Sequence, residues 1–73
     1  MKIKVKDPLK FNELLIRKGF NKADFSKAIE LSRPMAVQLS NGSRYPSPKT
    51  ARKITKVLEV DFDDIFLIEI PRT

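Results

Sequence analysis

NKADFSKAIELSRPMAVQLS, spanning Asn21–Ser40, is the stretch on which the fold turns. Asn21 stands at an N-cap position with Asp24 three residues on, the spacing of a capping box that uses Asp in place of Glu. Phe25, Ala28 and Ile29 then form an apolar stripe at helical spacing. A second start follows at once at Ser32, and Ala36 and Leu39 would face inward before Asn41-Gly42 ends the helix. Glu30-Leu31-Ser32 leaves so little chain between the two helices that they must cross steeply, one bracing and the other protruding. Such a crossing needs small side chains where the helices meet, and Ser26, Ala28 and Ala36 are the candidates.

The same punctuation continues on both sides. Asp7-Pro8 pairs an N-cap with a proline in the first helical position, and Phe11, Leu14, Leu15 and Lys18 follow at helical spacing before Gly19. Ser47-Pro48 repeats that signal ahead of Ala51, Ile54, Val57 and Leu58. Asp61, with Asp64 at the third position, opens a short fifth helix predicted to run through Phe66. The ends read differently. Lys2 to Lys6 alternates polar and apolar residues, and Leu67-Ile68-Glu69-Ile70 is aliphatic up to Pro71, which stops it. Two short strands, about 2–6 and 67–70, would set Ile3 and Val5 beside Ile68 and Ile70, in a ribbon that needs helices beneath it to be stable. The expected fold is all-α and compact, with five helices and these terminal strands. Residues 1–73 form one domain in this reading, with a core over 8–66 and the central helix pair at about 21–40.

Composition removes several classes of function. There is no cysteine and no histidine among the 73 residues, so disulfides, the usual zinc ligands and the commonest nucleophile–base pairs are unavailable. Asp61, Asp63 and Asp64 lack the glycine and terminal Glu of a calcium loop, and capping accounts for them. An enzyme is not expected, nor any metal or cofactor. No run approaches the ~20 apolar residues of a membrane span. Met1–Lys6 lacks the continuous apolar centre of a signal peptide, so a cytoplasmic protein is expected. The net charge of +6 is unevenly spread. Residues 31–56 carry Arg33, Arg44, Lys49, Arg52, Lys53 and Lys56 with no acid, whereas 57–71 carry Glu59, Asp61, Asp63, Asp64 and Glu69 with no base. A chain polarised in this way attracts a polyanion on one side only.

The residues that carry a family resemblance are Gly19-Phe20-Asn21, Phe25-Ser26-Lys27-Ala28-Ile29, Leu31-Ser32-Arg33, Leu39-Ser40-Asn41-Gly42, Arg44, Pro46-Ser47, Thr50, Lys53-Ile54, Leu58, Val60 and Asp63-Asp64-Ile65-Phe66. Through them residues 9–66 resemble, without a gap, the Cro/C1-type (phage-repressor-like, Xre-type) helix-turn-helix DNA-binding domain. The resemblance implies a five-helix domain whose third helix reads bases in the major groove with Arg33, Pro34, Val37 and Gln38. Arg suits guanine O6 and N7, Gln suits adenine N6 and N7, and Val37 could meet a thymine methyl. It also implies phosphate contacts from Lys22, Ser32, Asn41, Ser43, Arg44, Ser47 and Lys49. Arg52, Lys53 and Lys56 read as a solvated face, and Tyr45 either reaches the backbone or covers its loop. Three departures carry expectations. Lys22 replaces a frequent Gln; Glu30 stands where Gly is usual, which implies backbone strain. Pro34 disfavours the helical conformation at Arg33, which allows the third helix to start a residue late.

Two functions follow. One is a transcriptional regulator, a repressor of phage or mobile-element type, bound to double-stranded DNA as a homodimer on a palindromic operator. The other is a protein-interaction module built on the same fold, such as an antitoxin, antirepressor or accessory factor. The basic stretch coinciding with the third helix favours the first. Phe66, Leu67, Ile68 and Ile70 offer a dimer seam; packing of that tail against Ile3 and Val5 is the other outlet.

Overall fold

Local capping sets the element boundaries. In the computed structural model, which describes residues 2–70, the order is β1 (Lys2–Val5), α1 (Pro8–Arg17), α2 (Lys22–Ala28), α3 (Arg33–Ser40), α4 (Pro48–Leu58), α5 (Phe62–Ile65) and β2 (Phe66–Glu69). Asp7 accepts from the Leu9 and Lys10 N–H groups at 3.1 and 3.3 Å, and Asn21 from Asp24 N–H at 2.7 Å. At α5 the Asp64 carboxylate accepts from the Asp61 N–H at 3.0 Å. Each bond satisfies an amide that the helix itself leaves unpartnered.

The helix ends share one device. After α1, α2, α3 and α4 the chain turns through a left-handed residue, with paired backbone bonds of the Schellman type, such as Phe20 N–H to Leu15 O at 2.9 Å and Leu31 N–H to Ser26 O at 3.0 Å. Gly19 and Gly42 fill two of these positions. At Gly42 (φ +81°) a Cβ would also come within 3.1 Å of Pro8 Cγ, so glycine is needed there twice over. Glu30 (φ 59°) and Glu59 (φ 56°) fill the other two, as the departure at Glu30 led one to expect. Glu59→Gly should therefore raise stability by about 0.5–1 kcal/mol, a gain of about 2–8 °C in Tm, measured by thermal melting. A fall in Tm would mean that the Glu59 side chain holds the turn through a contact of its own.

The core is aromatic at its centre. Phe11 meets Phe25 edge-on with ring centroids 5.8 Å apart, and Phe66 lies 6.2 Å from Phe11. Leu15, Ile29, Ala36, Leu39, Ala51, Ile54, Leu58 and Ile65 close around them. Ser26 and Ala36 are buried and Ala28 is half-buried, as the close crossing of α2 and α3 requires.

The bounds of α5 and of both strands differ from the sequence reading, β1 ending at Val5, and so does one expected start. The helix α5 stops at Ile65, and the strand begins at Phe66 instead of residue 67, pairing antiparallel as Val5↔Phe66, Ile3↔Ile68 and Lys2↔Glu69. Ile70 is thus outside the ladder, and Pro71, read as its stop, lies outside the described residues. Extending β2 by one residue puts Phe66 on the same face as Ile3 and Val5, where it is 1% exposed. Phe66 is therefore committed to its own core, and the candidate dimer seam reduces to Leu67, Ile68 and Ile70. Finally, α3 begins at Arg33 and not a residue late. Pro34 falls in the first turn, where an amide has no intrahelical partner to lose, so the helix accommodates it.

Candidate nucleic-acid interface

Two serine-capped helix starts bound the surface that the sequence singled out. Ser32 Oγ accepts from Met35 N–H at 3.4 Å, and Ser47 Oγ accepts from Thr50 N–H at 3.3 Å. Proline removes a second amide from each first turn, Pro34 in α3 and Pro48 in α4. What remains is one amide apiece, Arg33 N–H and Lys49 N–H, at the positive end of a helix dipole and next to that residue's own cation.

Between these starts, α3 turns Arg33, Pro34 and Gln38 to solvent, with Val37 half-buried at the edge. Ala36, Leu39 and Ser40 face the core. Three of the four residues that the resemblance gives as base readers are thus exposed. Asn41, Ser43 and Arg44 follow on the exposed loop, and Ser47 and Lys49 on the start of α4. Of the six basic side chains over 31–56, Lys53 alone is ion-paired among the described residues, to Glu30 at 3.2 Å. Arg33, Arg44, Lys49, Arg52 and Lys56 keep their charge unneutralised, which leaves a field suited to a polyanion.

Lys22 is placed differently from its neighbours. Its ammonium donates to Ser40 Oγ at 2.6 Å and to Asn12 Oδ1, while Asn12 Nδ2 donates to Pro8 O at 2.7 Å and Ser40 O at 3.0 Å. Burial lowers the pKa of the ammonium from its ordinary value. Two of its three donors thus join α1, α2 and the end of α3, leaving one for an outside partner. Asn12 was not a sequence candidate, because nothing local marks a side chain whose partners lie ten and twenty-eight residues away.

Tyr45 caps a cleft. The Lys2 ammonium sits 5.1 Å from the centre of its ring, and Pro46, Pro48, Phe62 and Ile68 line the cleft with it. Tyr45 itself is 47% exposed. Arg52 and Lys56 lie along the same cleft. No cluster of three or more potential metal ligands occurs among the described residues. No helix there is long and apolar enough to cross a membrane.

Two short helices crossing on small residues, the second presenting a polar basic face, define a helix-turn-helix unit of the DNA-binding class. A helix-turn-helix family model matches residues 12–65, and the chain belongs to that Cro/C1-type helix-turn-helix family. The family is DNA-binding and not enzymatic. The comparison with curated proteins found no match.

Proposed function

We propose that this protein binds double-stranded DNA sequence-specifically, reads the major groove with α3 and regulates transcription as a repressor of phage or mobile-element type in the cytoplasm. The observation that carries this reading is the outward face of α3. Arg33, Pro34 and Gln38 are exposed on a helix flanked by unpaired cations and by no carboxylate from 31 to 56. Arg33 and Gln38 are side chains whose donors and acceptors match base edges, each good bidentate pair giving ~1–3 kcal/mol of discrimination. Lys49, Ser47, Ser43, Asn41, Ser32 and the remaining donor of Lys22 would hold the phosphates and set the register. A face built to dock a protein would be richer in exposed apolar side chains.

A lone unit of this size makes few base contacts, so the reading includes a homodimer on a palindrome, with half-sites about 34–36 Å apart. Leu67, Ile68 and Ile70 support the seam. Ile68 is 51% and Ile70 is 70% exposed, which leaves apolar surface at the ribbon uncovered.

Selection from a pool of random duplexes tests the function directly. A defined and palindromic site is expected. Recovery of unrelated sequences, or of no duplex at all, would overturn sequence reading and favour the protein-interaction module.

A further inference from the structure

The end of α3 carries a bond that the roles above do not use. Arg44 Nε donates to Gln38 Oε1 at 3.2 Å, joining a loop residue to the helix residue best suited to read adenine. We propose that Arg44 is a base-reading residue and not a phosphate contact, acting with Gln38 as one unit on two neighbouring purines, adenine under Gln38 and guanine under Arg44. The inference rests on α3 entering the major groove.

Geometry places Arg44 inside the groove if Gln38 is there. Two side-chain atoms 3.2 Å apart are separated by about the 3.4 Å rise of one base-pair step. A guanidinium in contact with an amide at the groove floor is not at the groove wall, where the phosphates lie.

Hydrogen-bonding capacity also fits. Oε1 of Gln38 has two lone pairs, so one can take Arg44 while the other accepts from adenine N6 and Nε2 donates to N7. Arg44 gives only Nε to Gln38. Its two Nη groups have no partner among the described residues and form the fork that guanine O6 and N7 accept.

The backbone holds the pair in place as well. Ser43 N–H, one residue before Arg44, donates to the carbonyl of Gln38 at 2.9 Å, and Gly42 N–H donates to Leu39 O at 3.1 Å. Arg44 therefore leaves the helix end from a closed Schellman turn tied to Gln38 itself. Two residues further on, buried Pro46 limits the loop from the other side. Much of the ordering that a long flexible side chain must undergo on binding is already done.

The test is a set of binding measurements on the selected duplex and on its single-base variants, using wild type, Arg44→Ala, Arg44→Lys, Gln38→Ala and the Arg44→Ala/Gln38→Ala double variant. Melting curves would confirm that each is folded, as expected for exposed positions. Both Arg44 variants should lose about tenfold to hundredfold discrimination at one base pair adjacent to the one that Gln38→Ala relaxes. Lysine should not restore it, since it lacks the fork. The double variant should lose less than the product of the single losses, because each partner orients the other. Uniform weakening on every duplex, with rescue by lysine, would return Arg44 to the phosphates and overturn the proposal. Absence of any base preference in the wild type would instead show that groove reading itself fails, and the proposal with it.

Discussion

Replacing Phe25 with alanine should remove much or all of the protein's stability. The ring is 0% exposed and meets Phe11 edge-on at the centre of the core, where α1 and α2 come together. Truncating a buried Phe to Ala costs about 3–5 kcal/mol, the transfer of the ring plus the cavity left behind. A chain of 73 residues has a total stability of roughly 4–11 kcal/mol, so the loss consumes much or all of it. Circular dichroism should show the helical signal collapse or Tm fall by tens of degrees. Leu9→Ala is the control: that side chain is 79% exposed, and its loss should change stability by less than about 0.5 kcal/mol. A folded Phe25→Ala variant with near-normal Tm would mean that the core closes around the gap far better than its aromatic packing implies.

Affinity for the selected duplex should fall about 150-fold when monovalent salt rises from about 50 to 200 mM. Of the cations assigned to phosphates, Lys49 is exposed and free of ion pairs among the described residues, and Lys22 keeps one donor for an outside partner. Counting about two neutralised phosphates per protomer and about four per dimer, the slope of log K against log salt is about −3.6. Lys49→Ala should weaken binding to all sequences alike and flatten that slope by about one unit per protomer. An affinity indifferent to salt would be incompatible with counterion release and would point to a protein partner.

The boundaries of the helices were readable because capping is local. Asp7, Asn21, Ser32, Ser47 and Asp64 each stand within three residues of the amides they serve. Pro34 was less readable. The restriction it places on Arg33 predicted a late start, yet a proline in the first turn gives up no intrahelical bond, and α3 starts at Arg33. By sequence Phe66 reads as part of a helix and of a dimer seam, because its aliphatic neighbours disguise the strand register. Pairing with Val5 turns it inward, which local periodicity could not show.

At the interface the same contrast holds. Spacing from Ser32 placed Arg33, Pro34 and Gln38 on one outward face, since helical period alone decides which side chains share a side. It was silent on Lys22 turning toward Asn12 and Ser40, on Lys53 reaching Glu30, and on Arg44 reaching Gln38. From the sequence alone came the number and type of the helices, the family and the outward face of α3, because these depend on caps, stripes and turns a few residues long. Only the tertiary structure decided which cations remain available, which residues the ribbon buries and which side chains act together. Those outcomes depend on partners from six to more than sixty residues apart, brought within bonding distance by the fold and not by local sequence pattern.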